Sequence, residues 1–322
     1  MTSMHEFWEE AQETLAFQFG PCVLGKWSFA SLSNRTSPLM AANDQLIIPP
    51  IRRPTCYQQM RDDGTISGTL SFDRNAIRYI PYRGKRYFID LSCGPFDNYL
   101  HKFSARTRNT LKRKIRRFAE HSGGIIDLRC YKSPETMIEF RGHAIAISRL
   151  SYQGQIGFGL PESDDFGNHL IEEAANGRVC GFVLMLQDQP VSYIFCRINS
   201  YILTYSIPGY DPNFVKLSPG TVLLYKVLEQ LFADPKYRIF DFGGQAWDYK
   251  EFFATGSVDY LKVMWFPITV KNLIFVTTHY LVRQAWEGAA WGRSLCRYSA
   301  QRSSWRRLLT LNLHQALSSV RK

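Results

Sequence analysis

The sequence predicts a mixed α/β fold, a mainly antiparallel sheet flanked by helices. Three observations carry this. From Ile125 onward the apolar residues switch between strand and helix periods in the order strand, two helices, three strands, helix, strand, helix, strand. Within that order, Gln187-Asp188-Gln189 and Asn199-Ser200 are turns so short that the strands they join must be antiparallel neighbours. The chain of 322 residues is 45% hydrophobic and 14% aromatic, which is ample for a packed core.

The elements follow in order. His5 to Phe19 reads as a helix with Phe7, Leu15 and Phe19 on a loose stripe. Residues 31–54 hold four prolines and many small polar residues, and read as irregular structure around a short strand, Gln45 to Ile48. Thr65 to Ser71, Ala76 to Tyr82 and Tyr87 to Leu91 read as strands, with Arg83-Gly84-Lys85 as a turn. Ser104 caps a basic helix that ends near His121, with Leu111, Ile115 and Phe118 as its apolar stripe. Ile125 to Tyr131 is a strand. Ser133-Pro134-Glu135 opens a helix to Leu150, and a Gly-bearing loop, 151–159, follows. Asp164 or Asp165 caps the next helix, whose apolar face holds Phe166, Leu170, Ile171 and Ala174. Strands 178–186, 190–198 and 201–208 form a meander. A helix from Pro219 to Phe232 buries Leu223, Leu224, Val227, Leu228 and Leu231. Tyr237 to Phe242 is a strand, Trp247 to Phe253 a short helix and Ser257 to Phe266 the last strand. Val270 to Leu295 reads as one or two helices.

Formal net charge is +11, which suits phosphorylated cofactors, an acidic membrane surface or nucleic acid. The charge concentrates in two places. The 104–118 helix carries Arg106, Arg108, Lys112, Arg113, Lys114, Arg116 and Arg117 without interleaved aromatics, so base stacking is not indicated. The tail from Arg293 to Lys322 is basic and free of acids, with interspersed leucines. Both suit a solvated or docked helix, or a membrane headgroup layer. The seven cysteines are scattered and lack metal or disulfide spacing. That fits a reducing cytosol, and the acidic N-terminus lacks a signal pattern, so a cytoplasmic protein is expected. Leu273 to Trp291 contains His279, Arg283, Gln284 and Glu287 and makes a poor membrane span. His143, His169 and His279 have no paired ligands, so no metal is assigned. No Ser-His-Asp order, P-loop or dinucleotide fingerprint is present.

The most informative stretch runs from Val191 to Gly256. Tyr210-Asp211-Pro212 follows a strand, and Leu217-Ser218-Pro219-Gly220-Thr221 opens a helix, with Ser218 at the cap and Pro219 at the first helical position. Gly220 and Thr221 then offer first-turn amides to an anion. The other reading is an ordinary strand-to-helix turn. Asp211 suits either a base or acceptor orienter, or an Asx turn with Pro212. Asp241, inside Ile239-Phe240-Asp241-Phe242, requires a partner such as an arginine. Lys250, after Tyr249, suits either contact with a phosphate or oxyanion, or a surface position at a helix start.

Taken together, the basic Arg-Thr-Arg-Asn-Thr-Leu-Lys-Arg-Lys-Ile-Arg-Arg helix, Gly209-Tyr210-Asp211-Pro212, Leu217-Ser218-Pro219-Gly220, Asp241-Phe242-Gly243-Gly244 and Tyr249-Lys250-Glu251-Phe252 resemble the GNAT acyltransferase superfamily. The resemblance covers roughly residues 97–266 and is to the CelD-like branch, linked to exopolysaccharide or cellulose synthesis and related to FemABX peptidyltransferases. It implies a degenerate tandem GNAT, with residues 1–100 as a divergent half, 101–122 as the basic helix, 123–268 as the acyltransferase domain and 269–322 as C-terminal helices and tail. It further implies acyl transfer from acetyl-CoA or another acyl-CoA to a sugar or lipid-linked acceptor. Ser218, Gly220 and Thr221 would hold the pyrophosphate, and Asp211, Tyr249 and Lys250 would serve the chemistry. Peripheral contact with the inner face of the membrane is compatible with it. The usual Gln/Arg-x-x-Gly-x-Gly/Ala loop is replaced by Lys216-Leu217-Ser218-Pro219-Gly220. Two alternatives therefore stay open: a FemABX-like transferase using aminoacyl-tRNA, and an inactive GNAT-like binding module at an anionic surface.

Overall fold

The computed structural model describes residues 8–19, 21–40, 50–73, 75–155, 157, 159–244 and 248–289. The chain divides into two compact units, Met1–Arg83 with Asp259–Lys322, and Gly84–Val258.

In the first unit, β1 (Glu9–Phe19) and β2 (Cys22–Asn34) form a long antiparallel hairpin. β3 (Thr55–Arg61) runs parallel to the end of β2, and β11 (Gly256–Pro267) pairs antiparallel with β3. β4 (Leu70–Asp73) pairs with the start of β5 (Ala76–Asp90). Residues 270–289 form a helix, α8. Trp27 stacks on Phe266 and Phe275 in the core beneath it.

Three expectations for this region are corrected. Residues 9–19 are strand, not helix: Glu13 and Leu15 share the buried side, a period of two, and Glu13 is a tolerable inward residue because Lys262, Gln58 and Ser33 all donate to it. Arg83-Gly84-Lys85 is not a turn but the middle of β5, and Gly84 has an ordinary negative φ. The strand read over 65–71 starts only at Leu70, whereas β2 and β3 were not anticipated. The strand expected at 45–48, the helix end at His5 and the basic tail lie outside the described residues.

In the second unit the strand order is β5-β10-β9-β8-β7-β6. β7 (Val179–Leu186), β8 (Gln189–Asn199) and β9 (Ile202–Tyr210) form the expected antiparallel meander, and β6 (Asp127–Tyr131) pairs antiparallel with β7 at its edge. β10 (Ile239–Asp241) is antiparallel to β5 and parallel to β9. On one face lie α1 (Phe96–Leu100), α2 (Ala105–His121) and α6 (Pro219–Ala233). The five leucine and valine positions assigned to the core of α6 are all buried there. Each contributes on the order of 1.5–3 kcal/mol by leaving water. On the other face, α3 (Pro134–Leu150) and α5 (Asp164–Ala175) cover Val179, Val183 and Phe195. The sheet accepts α3 closely because Gly181 has no side chain: a Cβ there would lie 2.3 Å from the Phe140 ring.

The caps are built as the residues dictate. Ser104 accepts the Thr107 N–H, and Ser133 and Thr136 form a reciprocal capping box. Ser163, not Asp164 or Asp165, caps α5, and those aspartates occupy the first turn, where the dipole favours them. The loop after α3 contains a one-turn helix, α4 (Tyr152–Gln155), and α7 (Asp248–Phe253) follows β10. No helix among the described residues is long and apolar enough to cross a membrane.

Candidate active site

The sheet of the second unit opens between β9 and β10. The two strands pair over only Ile202–Thr204 and Ile239–Asp241. β9 then continues to Tyr210 with no described strand beside it on that side. The register of β9 against β8 also shifts between Phe195 and Cys196, a bulge that falls where the opening begins. Bulges bend a strand and increase its twist, so this one turns the end of β9 out of line with β10.

β9 leads into a 3-10 turn, Pro212–Leu217, and then into α6. Asp211 is buried. Its carboxylate accepts the Asn213 N–H at 2.9 Å, and its own N–H donates to Val191 O at 2.9 Å. This is the Asx-turn reading of Asp211, and it forms no hydrogen bond or ion pair with Tyr249 or Lys250.

Ser218 stands at the N-cap of α6 but does not cap it through its side chain. It is left-handed, φ 54°, because the 3-10 turn ends on the same residue at which α6 begins. Its carbonyl accepts the N–H groups of both Thr221, at 3.0 Å, and Val222, at 3.1 Å. Pro219 has no N–H. Of the first-turn amides expected to face an anion, only that of Gly220 bonds no described residue. Gly220 lies against Tyr210: a Cβ there would sit 3.7 Å from its ring. Lys114 of α2 reaches the same turn, its Nζ donating to Thr221 Oγ1 at 3.4 Å. The basic helix thus delivers one ammonium to the start of α6.

A second group of polar residues is gathered at the end of β10. Asp241 is fully buried and saturated. Arg86 of β5 donates to it through Nε at 2.8 and 2.9 Å and through a terminal nitrogen, Thr204 donates to Oδ2 at 3.1 Å and the Gly243 N–H to Oδ1 at 2.8 Å. Asp241 has the arginine partner its sequence context required. Lys250, on α7, is only 7% exposed and makes no hydrogen bond or ion pair with any described residue. Burial drives its pKa down from 10.5 to about 8. The Asp241 charge opposes that fall and the Arg86 charge adds to it. The surface-lysine reading is therefore set aside. Tyr249 meets the hydroxyl of Tyr205, a β9 residue at the edge of the opening. Burial raises Tyr249 to about 12 against the lowering effect of that bond, so its phenol stays protonated at neutral pH.

The structure brings Gly220, Thr221, Tyr210 and Lys114 together, and separately Lys250, Asp241, Arg86, Tyr249 and Tyr205. Arg86, Lys114 and Tyr205 were missed from sequence. Arg86 stands in an unremarkable strand, and Lys114 is one of seven cations on its helix. No cluster of His, Cys, Asp and Glu suited to a metal occurs among the described residues. Chemically, the arrangement offers an open edge of sheet, a free helix-start amide and a desolvated ammonium. Those are parts for holding charge that develops on a carbonyl oxygen.

Residues 105–251 match the acetyltransferase (GNAT) domain family. No curated protein sequence matches the chain. Among solved structures, FemX superposes with a TM-score of 0.50 at 10% identity, over 81% of this chain and 89% of that one. The C-terminal domain of a lysylphosphatidylglycerol synthetase from Agrobacterium fabrum, described as putative in its own name, gives 0.46 at 10% identity, over 66% and 67%. A GCN5-related N-acetyltransferase from Kribbella flavida gives 0.34 at 10% identity, over 67% and 69%. The 105–251 segment is thus a GNAT-type domain by its family match and, with the splayed β9–β10 pair and α6 following it, has the fold that FemX also adopts.

Proposed function

We propose that the Gly84–Val258 unit transfers an acyl group from acyl-CoA to an amine or hydroxyl of a sugar or lipid-linked acceptor, as a CelD-like member of the superfamily in envelope or exopolysaccharide synthesis. The observation that carries the reading is Lys250, a buried ammonium with no partner among the described residues, beside the end of β10 where the sheet opens. In this reading the acceptor attacks the thioester carbonyl, and the charge that collects on its oxygen meets the Lys250 ammonium. The C–S bond then breaks, and the proton lost by the acceptor ends on the departing thiolate, which leaves as CoA thiol. The Gly220 N–H and Lys114 are the groups available to the CoA phosphates. The Met1–Arg83 and Asp259–Lys322 unit is read as a degenerate second half.

A panel of acyl-CoA thioesters tested by thermal shift identifies the donor, since a ligand of the folded state raises its melting temperature. Calorimetry with Gly220→Glu should then show that binding lost. Binding unchanged in that variant removes α6 from the donor site.

A second reading is favoured by the occupied Thr221 amide. One free N–H is a thin cradle for a pyrophosphate, and a donor carried on tRNA would not need it. Salt-sensitive tRNA binding, with no response to any acyl-CoA, selects that reading instead.

A further inference from the structure

The seven cations of α2 are not equivalent. Arg108 donates to Phe103 O at the start of its own helix, Lys114 to Thr221, and Arg116 lies 3.6 Å from Glu120, the helix's only acid. Arg106, Lys112, Arg113 and Arg117 are exposed, and their side chains form no hydrogen bond or ion pair with a described residue. At about 100° per residue, Arg106, Arg113 and Arg117 fall within about 40° of one another around the helix axis, nearly opposite the buried Leu111 and Phe118. They extend over about 17 Å of helix, at 1.5 Å per residue. The docked stripe therefore turns a row of unneutralised arginines outward by construction.

We propose that this face of α2 is a docking surface for anionic phospholipid headgroups, one that holds the protein against an acidic bilayer. Two observations choose lipid over nucleic acid. The face carries no Phe, Tyr or Trp, since the only such ring on α2, that of Phe118, is fully buried, and single-stranded nucleic acid binding relies on rings of this kind for stacking. Exposed apolar residues lie on segments that touch the helix or the residue before its cap. Val215 is 54% exposed on the 3-10 turn that packs against α2, and Phe252 is 44% exposed with its ring 5.0 Å from that of Phe103, just before the Ser104 cap. Cations at phosphate depth with apolar side chains beside them suit an interfacial surface. The same helix places Lys114 on the start of α6, so a bilayer bound here lies next to the proposed donor site.

The test uses the full chain and sedimentation with vesicles of phosphatidylcholine alone or mixed with phosphatidylglycerol. Binding should require phosphatidylglycerol and fall at high salt. The variant R106E/R113E/R117E should lose affinity by at least on the order of 100-fold, since each cation near an anionic surface contributes about fivefold. A control with the same net charge, K26E/K132E/K236E, alters exposed lysines on other elements and should retain most of the binding. Circular dichroism of both variants checks the fold. Equal losses in the two variants, or no sedimentation of the native chain, overturn the proposal. RNA binding abolished by R106E/R113E/R117E, with vesicle binding unaffected, overturns the assignment to lipid. None of these readouts involves an acyl donor, so the proposal and the acyl-transfer reading stand or fall separately.

Discussion

Replacing Lys250 with methionine should make the protein more stable and less active. Methionine keeps the packed aliphatic stem and removes the ammonium. The fall in the lysine pKa from 10.5 to about 8 corresponds to roughly 3 kcal/mol of disfavoured charge. Below about pH 8 the group is charged in both folded and unfolded states, and the whole penalty is present. Between about 8 and 10.5 the unfolded chain holds a proton that the folded chain lacks, so the stability of the native protein rises with pH. Lys250→Met should therefore exceed the native protein by about 3 kcal/mol in urea unfolding at pH 7, and the gap should close toward pH 10.5. In acyl transfer the same variant should lose about 10²–10³ in kcat, the usual consequence of removing a donor to a developing oxyanion. A variant less stable than the native protein at pH 7, or a stability gap that does not change with pH, would refute the view of Lys250 as a desolvated, unpartnered cation.

The native kcat should decline as pH rises through about 8, where the Lys250 ammonium is lost, and a pH–rate profile checks this. Asp241→Asn should destabilise the fold by about 3–5 kcal/mol in denaturant unfolding, because it leaves the Arg86 guanidinium buried without its counter-charge. Gly209→Ala should cost about 1–3 kcal/mol in the same assay, since the new methyl would lie 2.3 Å from the Tyr193 ring. Ser218→Gly should raise the melting temperature by an amount worth about 1 kcal/mol, as it relieves a left-handed backbone at a serine that makes no capping bond.

The region from 104 to 266 was legible because its elements announce themselves locally. The meander has polar turns between apolar runs, and Ser104 and Ser133 precede helices with the spacing that capping needs. The first unit was not legible for a reason visible at Glu13. Its carboxylate sits among buried residues of β1, where a strand pattern calls for an apolar side chain, and it is admitted by Ser33 on the neighbouring strand and by Gln58 and Lys262 from distant parts of the chain. Such a residue erases the alternation that marks a strand, and the scattered phenylalanines then pass for a helical stripe. At the site, Tyr249-Lys250 was readable from its motif, but the burial of Lys250 was not. Nor was the geometry at Ser218, since two helical segments compete for that residue and the 3-10 turn left no local signal.

Lys250 is kept free by what surrounds Asp241. A carboxylate near a buried lysine would ordinarily neutralise it, and Asp241 is close enough to act on the charge of Lys250. Its oxygens are already taken by Arg86, Thr204 and the Gly243 amide. The aspartate therefore cancels the arginine, and the lysine remains as the uncompensated cation. The arrangement depends on chain geometry as much as on residue identity. Thr204 is the last β9 residue paired with β10, and Gly243 reaches Asp241 by turning with φ 74°, a conformation that favours glycine. The place where the sheet stops pairing is thus also the place where the aspartate is saturated. If either donor is removed, Asp241 gains a vacant acceptor position for Lys250, beside the bonds it keeps to Arg86. Thr204→Val is the gentler of the two tests. It should raise the Lys250 pKa, moving the alkaline fall in kcat to higher pH while KM stays near its native value. A profile that does not move would mean that Asp241 does not set the state of the lysine.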